Sequence, residues 1–356
     1  MERVSGDVLW LGRGMSLIAR PRGTQRNAPS QIPSQESGAG ARGTRIALCS
    51  LLRRIAAPAE ARRMSLNWFV PWYPSWPMAA FLALGAGLYL RGSLRRRTPA
   101  WRQALFWTGW VLIWQGLQTQ WDYLAEHEFF VHMLQQTALH DLGPLLVIAA
   151  WPGPTWRSGL PARWRQRWLL PLLRLAPVRW ASALLLNAAI AVALFSGLVV
   201  FWLVPAVHVG VMLNTHLYQL MNWTMVFDGL LFWWLVLDPR PAPPAHIRPG
   251  WRVFLPVIGM LPQMALGAVL ALNSTDWYPI YSLCGRAVAG LSAMSDQHLG
   301  GLILWIPASA INVLASMAAL RRWMRLSERR PAEPARAAAA RAPQGATHAP
   351  QAPRHA

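Results

Sequence analysis

Seven long apolar stretches, separated by clusters of arginine or of acidic residues, constrain this chain more than any other feature. A helix needs about 20 residues to cross the hydrocarbon of a bilayer. The stretches are Trp76–Leu90, Trp101–Gln118, His127–Ala150, Trp180–Val204, Thr215–Leu237, Val253–Asn273 and Leu299–Leu320. The first is short and can begin earlier, near Phe69. Composition agrees, with 54% hydrophobic and 13% charged residues, where soluble domains carry roughly a quarter charged. The expected fold is all-α: a polytopic membrane helix bundle of about seven transmembrane helices, with the lipid bilayer as its first partner.

Arginine sets the expected orientation. Every basic residue is Arg, and the formal charge is +20. Arg91, Arg95, Arg96, Arg97 and Arg102 follow the first stretch; Arg157, Arg163, Arg165, Arg167, Arg174 and Arg179 follow the third. Arg240, Arg248 and Arg252 follow the fifth, and Arg321, Arg322, Arg325, Arg329 and Arg330 the seventh. The alternate loops hold Asp122, Glu126, Glu128, Asp276, Asp296 and a single Arg286. The positive-inside rule therefore puts the amino end, counted from Met64, outside and the carboxyl end in the cytoplasm. Trp72, Tyr73, Trp76, Trp121, Tyr123, Trp151, Trp251, Trp277 and Tyr278 crowd the ends of the stretches as an interfacial aromatic belt. A charge of +20 also raises nucleic acid as a partner, but the sequence carries no nucleic-acid motif and no aromatic-interleaved basic patch.

Three regions are expected. Residues 1–63 read as a disordered Arg-rich arm, or as an over-extended gene start ahead of Met64. Residues 64–326 form the transmembrane domain, and 327–356 an Ala/Pro/Arg-rich disordered cytoplasmic tail. The two cysteines, Cys49 and Cys284, read as ordinary free thiols.

The polar residues inside this apolar frame carry the functional reading. Of nine histidines, His127, His132, His208, His216 and His298 fall at or near the outer face, and His140 lies deeper. Met133, Met212, Met221, Met225, Met264 and Met294 accompany them. Imidazole with thioether suits copper, Cu(I) especially. His132, Gln136 and His140 recur every four residues, forming one polar stripe that Glu128 extends outward. Such a stripe faces the bundle interior, as metal ligands or as interhelical hydrogen bonds. His140 and Asp141 lie roughly 20 Å in from the outer end at 1.5 Å per residue. Asp228 and Asn312 reach similar depths on the fifth and seventh stretches, and Gln263 a little shallower on the sixth. We expect a buried polar layer joining Asp228 to His140 or Asp141, which tunes a metal site, relays protons or locks the packing. At the start of the seventh stretch, Asp296 is expected as the N-cap, with His298 in the first turn. Gly300 and Gly301 allow close helix approach.

These residues resemble a known family. His132–Met133 with Gly143–Pro144–Leu145–Leu146 and Trp151–Pro152, then Leu231–Phe232–Trp233–Trp234, then Asp296–Gln297, Gly300–Gly301 and Trp305–Ile306–Pro307 are similar to the blocks of the CtaG-type cytochrome c oxidase assembly factors. The last block is the most specific, and the resemblance runs from about Trp72 to about Leu320. It implies a seven-helix protein of the bacterial plasma membrane. It also implies a non-enzymatic role in making active haem–copper oxidase, as a metallochaperone that handles copper for the oxidase subunits of the respiratory chain. Three positions depart from the family pattern: Gln136, Leu203 and Asn222 stand where the family usually has His.

The expected copper ligands are His132 with Met133, His140, His216, Met221 and His298. Two other classes stay open. One is a b-type haem electron-transfer protein using His140 with His216 or His208. The other is a proton-coupled small-solute transporter using Asp141 and Asp228.

Overall fold

The computed structural model describes residues 75–329 apart from 243, 244, 284 and 289. The expectations for the arm, for both cysteines and for the tail beyond Arg329 lie outside the described residues. Among the described residues all regular structure is helical.

Helix α1 spans Trp76–Arg95, α2 Ala100–Gln118 and α3 Gln120–His127. Glu128 then takes an extended backbone (φ −137°, ψ 125°), so the third expected stretch starts as α4, Phe129–Gln136. A π-helical stretch, Thr137–Leu142, and α5, Gly143–Ala149, continue it. The widening has a local cause. Pro144 has no N–H to offer the carbonyl of His140, and Gly143 N–H bonds instead to Ala138 O, five residues back. The chain turns at Trp151, whose φ of 55° is left-handed.

The expected fourth stretch is not one helix. It divides into α9, Ala176–Leu185, and α10, Ala188–Trp202, bent by 73°. Asn187 stops the helix there, because its Oδ1 accepts from the N–H groups of Ala189 and Ile190 at 3.0 and 3.4 Å. Before α9 lie α6 (Gly153–Gly159), α7 (Ala162–Trp164), a second π-helical stretch (Arg165–Leu169) and α8 (Leu170–Arg174). After α10 come α11 (Pro205–Met212), α12 (Thr215–Leu237), α13 (Pro249–Leu272), α14 (Ile280–Leu283) and α15 (Ala293–Arg329). Helix α15 therefore carries on through Ser327, where the tail was expected to begin.

Among the described residues, three helices, α12, α13 and α15, are long and apolar enough to cross a membrane, or four if the bent α9–α10 pair is one crossing. Exposed Leu84, Val111, Phe254, Ile258, Leu314 and Met317 clothe outward faces. That pattern suits lipid rather than water.

Close contacts between small residues draw the bundle together. A Cβ on Gly267 of α13 would come within 2.7 Å of Trp305 N on α15. One on Gly301 would meet the backbone of Gly267 and Ala271. The α13–α15 crossing is thus backbone against backbone, as small residues permit in lipid. At the carboxyl end of α12, Arg252 is 3% exposed and donates to the carbonyls of Asp238, Arg240 and Ile247, while Arg322 donates to Leu237 O. Two arginines from the expected cytoplasmic loops therefore cap the carboxyl end of α12.

Candidate functional site

Helices α4, α10, α11, α12, α13 and α15 and the first π-helical stretch meet around one small cavity. It leaves about 20 Å³ open to the centre of a water molecule. That is room for a single water-sized species, and none for a porphyrin. His132, Met133 and Gln136 reach it from α4, His208 from α11, and Met221 and Met225 from α12. The rings of His132 and His208 are 5.2 Å apart and nearly perpendicular.

The two imidazoles differ in their bonding. His132 is 1% exposed, and its Nδ1 has no hydrogen-bond partner. His208 Nδ1 lies 3.1 Å from Trp202 O, and Nε2 lies 2.9 Å from the Tyr281 hydroxyl. A carbonyl can only accept, so Nδ1 carries the proton and Nε2 accepts from Tyr281. Burial pushes the His208 pKa down to about 4, so the ring is neutral. Neutral imidazole is the form that ligates metal.

Four of the six expected copper ligands, His132, Met133, His140 and Met221, line this cavity. His216 and His298 do not join them. His216 is exposed at the start of α12, beside the Asn214 cap. His298 turns its Nε2 to Asn273 O at 2.9 Å. His208 and Met225 take part in their place. Helical phase carries the signal for this exchange. Met221 and Met225 are one turn apart, whereas His216 sits five residues before Met221, roughly 140° around the helix.

Below the cavity the polar layer is assembled from side chains on four helical segments. His140 Nε2 lies 3.1 Å from Asp228 Oδ2, and its Nδ1 lies 3.6 Å from Asp141 Oδ2. Asn312 Nδ2 donates to Asp141 Oδ1 at 3.1 Å. Gln263 donates to Phe195 O at 3.2 Å, and Phe195 stacks on His140 with ring centres 4.2 Å apart. The two carboxylates of the transporter reading therefore both flank one imidazole. Gln136 and Asn222 hydrogen-bond to each other at 2.9 Å, and Leu203 lines the cavity, so the three departures from the family pattern all border this site.

The specific Asp–Gln–Gly–Gly block ties the start of α15 to the start of α4. Asp296 does not cap its own helix. Helix α15 starts at Ala293, and the Ser292 hydroxyl accepts from Ser295 N–H. The Asp296 carboxylate instead accepts from Phe129 and Phe130 N–H at 3.0 and 2.8 Å, capping α4 from across the bundle. Arg286 bridges Asp296 at 2.9 Å and Glu128 at 3.2 Å, and Glu128 also accepts from Val288 N–H. Gln297 accepts from Trp277 N–H and donates to Thr275 O. Gly300 leaves space for Phe129 and Met133, and the Trp305 backbone meets Gly267.

A second chamber lies beside the first. Asp122 Oδ1 accepts from Gln135 Nε2 at 2.7 Å and from the Tyr218 hydroxyl at 3.0 Å. Burial pushes the Asp122 carboxyl up to about 7, and the neighbouring Glu126 adds to the rise. Among the described residues, no three His, Cys, Asp or Glu side chains converge to hold a metal.

No curated protein and no solved structure matches the chain. The family model of the cytochrome c oxidase caa3 assembly factor (Caa3_CtaG) matches residues 87–326, which covers the cavity, the polar layer and the Asp296 clamp. The chain belongs to the cytochrome c oxidase caa3 assembly factor family.

Proposed function

We propose that this assembly factor acts without catalytic turnover, holding Cu(I) in the His132–His208 cavity and passing it to a haem–copper oxidase subunit. The observation that carries this reading is the pairing of two imidazoles 5.2 Å apart with Met133, Met221 and Met225 around room for one small species. Cu(I) takes soft thioether and imidazole donors in low coordination numbers. The unpartnered Nδ1 of His132 and the neutral ring of His208 fit that demand. His208 can ligate only when Tyr281 releases its Nε2, which makes the site one that opens and closes.

The same reading places the protein in the bacterial plasma membrane with seven crossings, the amino end counted from Met64 outside and the carboxyl end in the cytoplasm. The alternation of Arg-rich and acidic loops supports it. So does the helical length of Trp76–Arg95, Ala100–Gln118 and Phe129–Ala149, each about 30 Å at 1.5 Å per residue. The cavity then lies nearer the outer face than the polar layer does.

Deleting the gene tests the role. Oxidase activity is expected to fall and to return when copper is added to the medium. Full oxidase activity in the deletion strain refutes the reading. Loss that copper does not repair points to assembly support of another kind.

A further inference from the structure

The chamber beside Asp122 shares a wall with the histidine–methionine cavity. It is lined by Ser75, Asp122, Glu126, Tyr218, Gln219 and Asn222, among others, and leaves about 20 Å³ open to the centre of a water molecule. Helix α12 lines both spaces, with Tyr218 and Asn222 facing one and Met221 and Met225 facing the other. The wall itself is the Gln136–Asn222 hydrogen bond, with Gln136 on the cavity side and Asn222 on the chamber side. The Tyr218 ring lies 6.1 Å from that of His132.

We propose that this acidic chamber is the vestibule through which a copper cation reaches the cavity, and that the Gln136–Asn222 pair is its inner gate. The inference rests on the copper reading above. The chamber offers oxygen donors. Glu126 stands exposed at the rim and Asp122 half-buried behind it. Ser75, 5% exposed, lines the chamber with a hydroxyl that has no hydrogen-bond partner. Carboxylates at a mouth concentrate cations and speed their arrival. Oxygen donors hold Cu(I) weakly, while imidazole and thioether hold it well, so the ion is drawn onward. The gate is a neutral amide pair. Gln136 Oε1 has no donor, so the Gln136 side chain is held to the wall by one bond and can swing aside.

Stopped-flow transfer of Cu(I) from a coloured bis-chelate to the full chain in lipid nanodiscs tests this. D122N/E126Q is expected to slow uptake about tenfold or more and to abolish its salt dependence, leaving the amount bound at equilibrium unchanged. N222A is expected to release copper several-fold faster to a competing chelator. Wild-type rates and salt dependence in the double variant overturn the vestibule. If that variant does not fold, E126Q alone, changed at the exposed rim, carries the test, and an unaltered rate and salt dependence overturns it equally. A wild-type chain that takes up no copper defeats the copper reading itself, and the vestibule falls with it.

Discussion

Replacing Asp296 by Ala removes the clamp that ties α15 to the start of α4. Three interactions go at once: charge-assisted bonds to Phe129 and Phe130 N–H at 3.0 and 2.8 Å, and the 2.9 Å contact with Arg286. Asp296 and Glu128 are 1% and 0% exposed, so water cannot substitute. Removing one partner of a buried ion pair costs about 3–5 kcal/mol. At roughly 2–4 °C per kcal/mol for a domain of this size, the melting temperature should fall by about 10 °C. D296N keeps the shape and one acceptor oxygen, so its loss should be smaller. Tryptophan-fluorescence melting of the purified protein measures both. His132 lies one turn beyond the capped residues, so D296A should also weaken copper retention. A D296A protein that melts within about a degree of wild type would refute the clamp as the anchor of α4.

Three other outcomes follow from the same geometry. H132A should lose Cu(I) retention in equilibrium competition with a chelator, while H216A and H298A should stay within about twofold of wild type. G301A puts a methyl group into the α13–α15 backbone contact and should cost about 1–3 kcal/mol of stability as overpacking, read by the same melting assay. Asp122 has Glu126 and Tyr218 as its titratable neighbours, and its carboxyl is raised from 3.8 to about 7. Its folded state holds the proton longer than the unfolded state does, so the contribution of Asp122 to stability is fully present below about pH 4 and is lost as pH rises through about 7. The melting advantage of D122N over wild type should therefore grow between pH 5 and 8.

The helical class was legible because apolar runs in a chain with so few charges have little else to form. The α9–α10 break was not, since hydrophobicity continues through Leu184–Leu186 into Ala188, and only the Asn187 cap marks the bend. The polar layer was legible by depth alone: equal distances along the third, fifth and seventh stretches brought His140, Asp228 and Asn312 together. The partner of Asp296 was hidden because it lies 167 residues away, and no local pattern distinguishes a cap on its own helix from one on a neighbour. His208 was hard to place because it sits on the short helix after Pro205, where span arithmetic gives no depth.

X-ray absorption at the copper edge of the Cu(I)-loaded full chain tests the central claim most directly. A shell mixing imidazole nitrogen with thioether sulfur, whose sulfur component shrinks in M221L and M225L, is the predicted result. A shell without sulfur, or one unchanged when His132 is replaced, would contradict it.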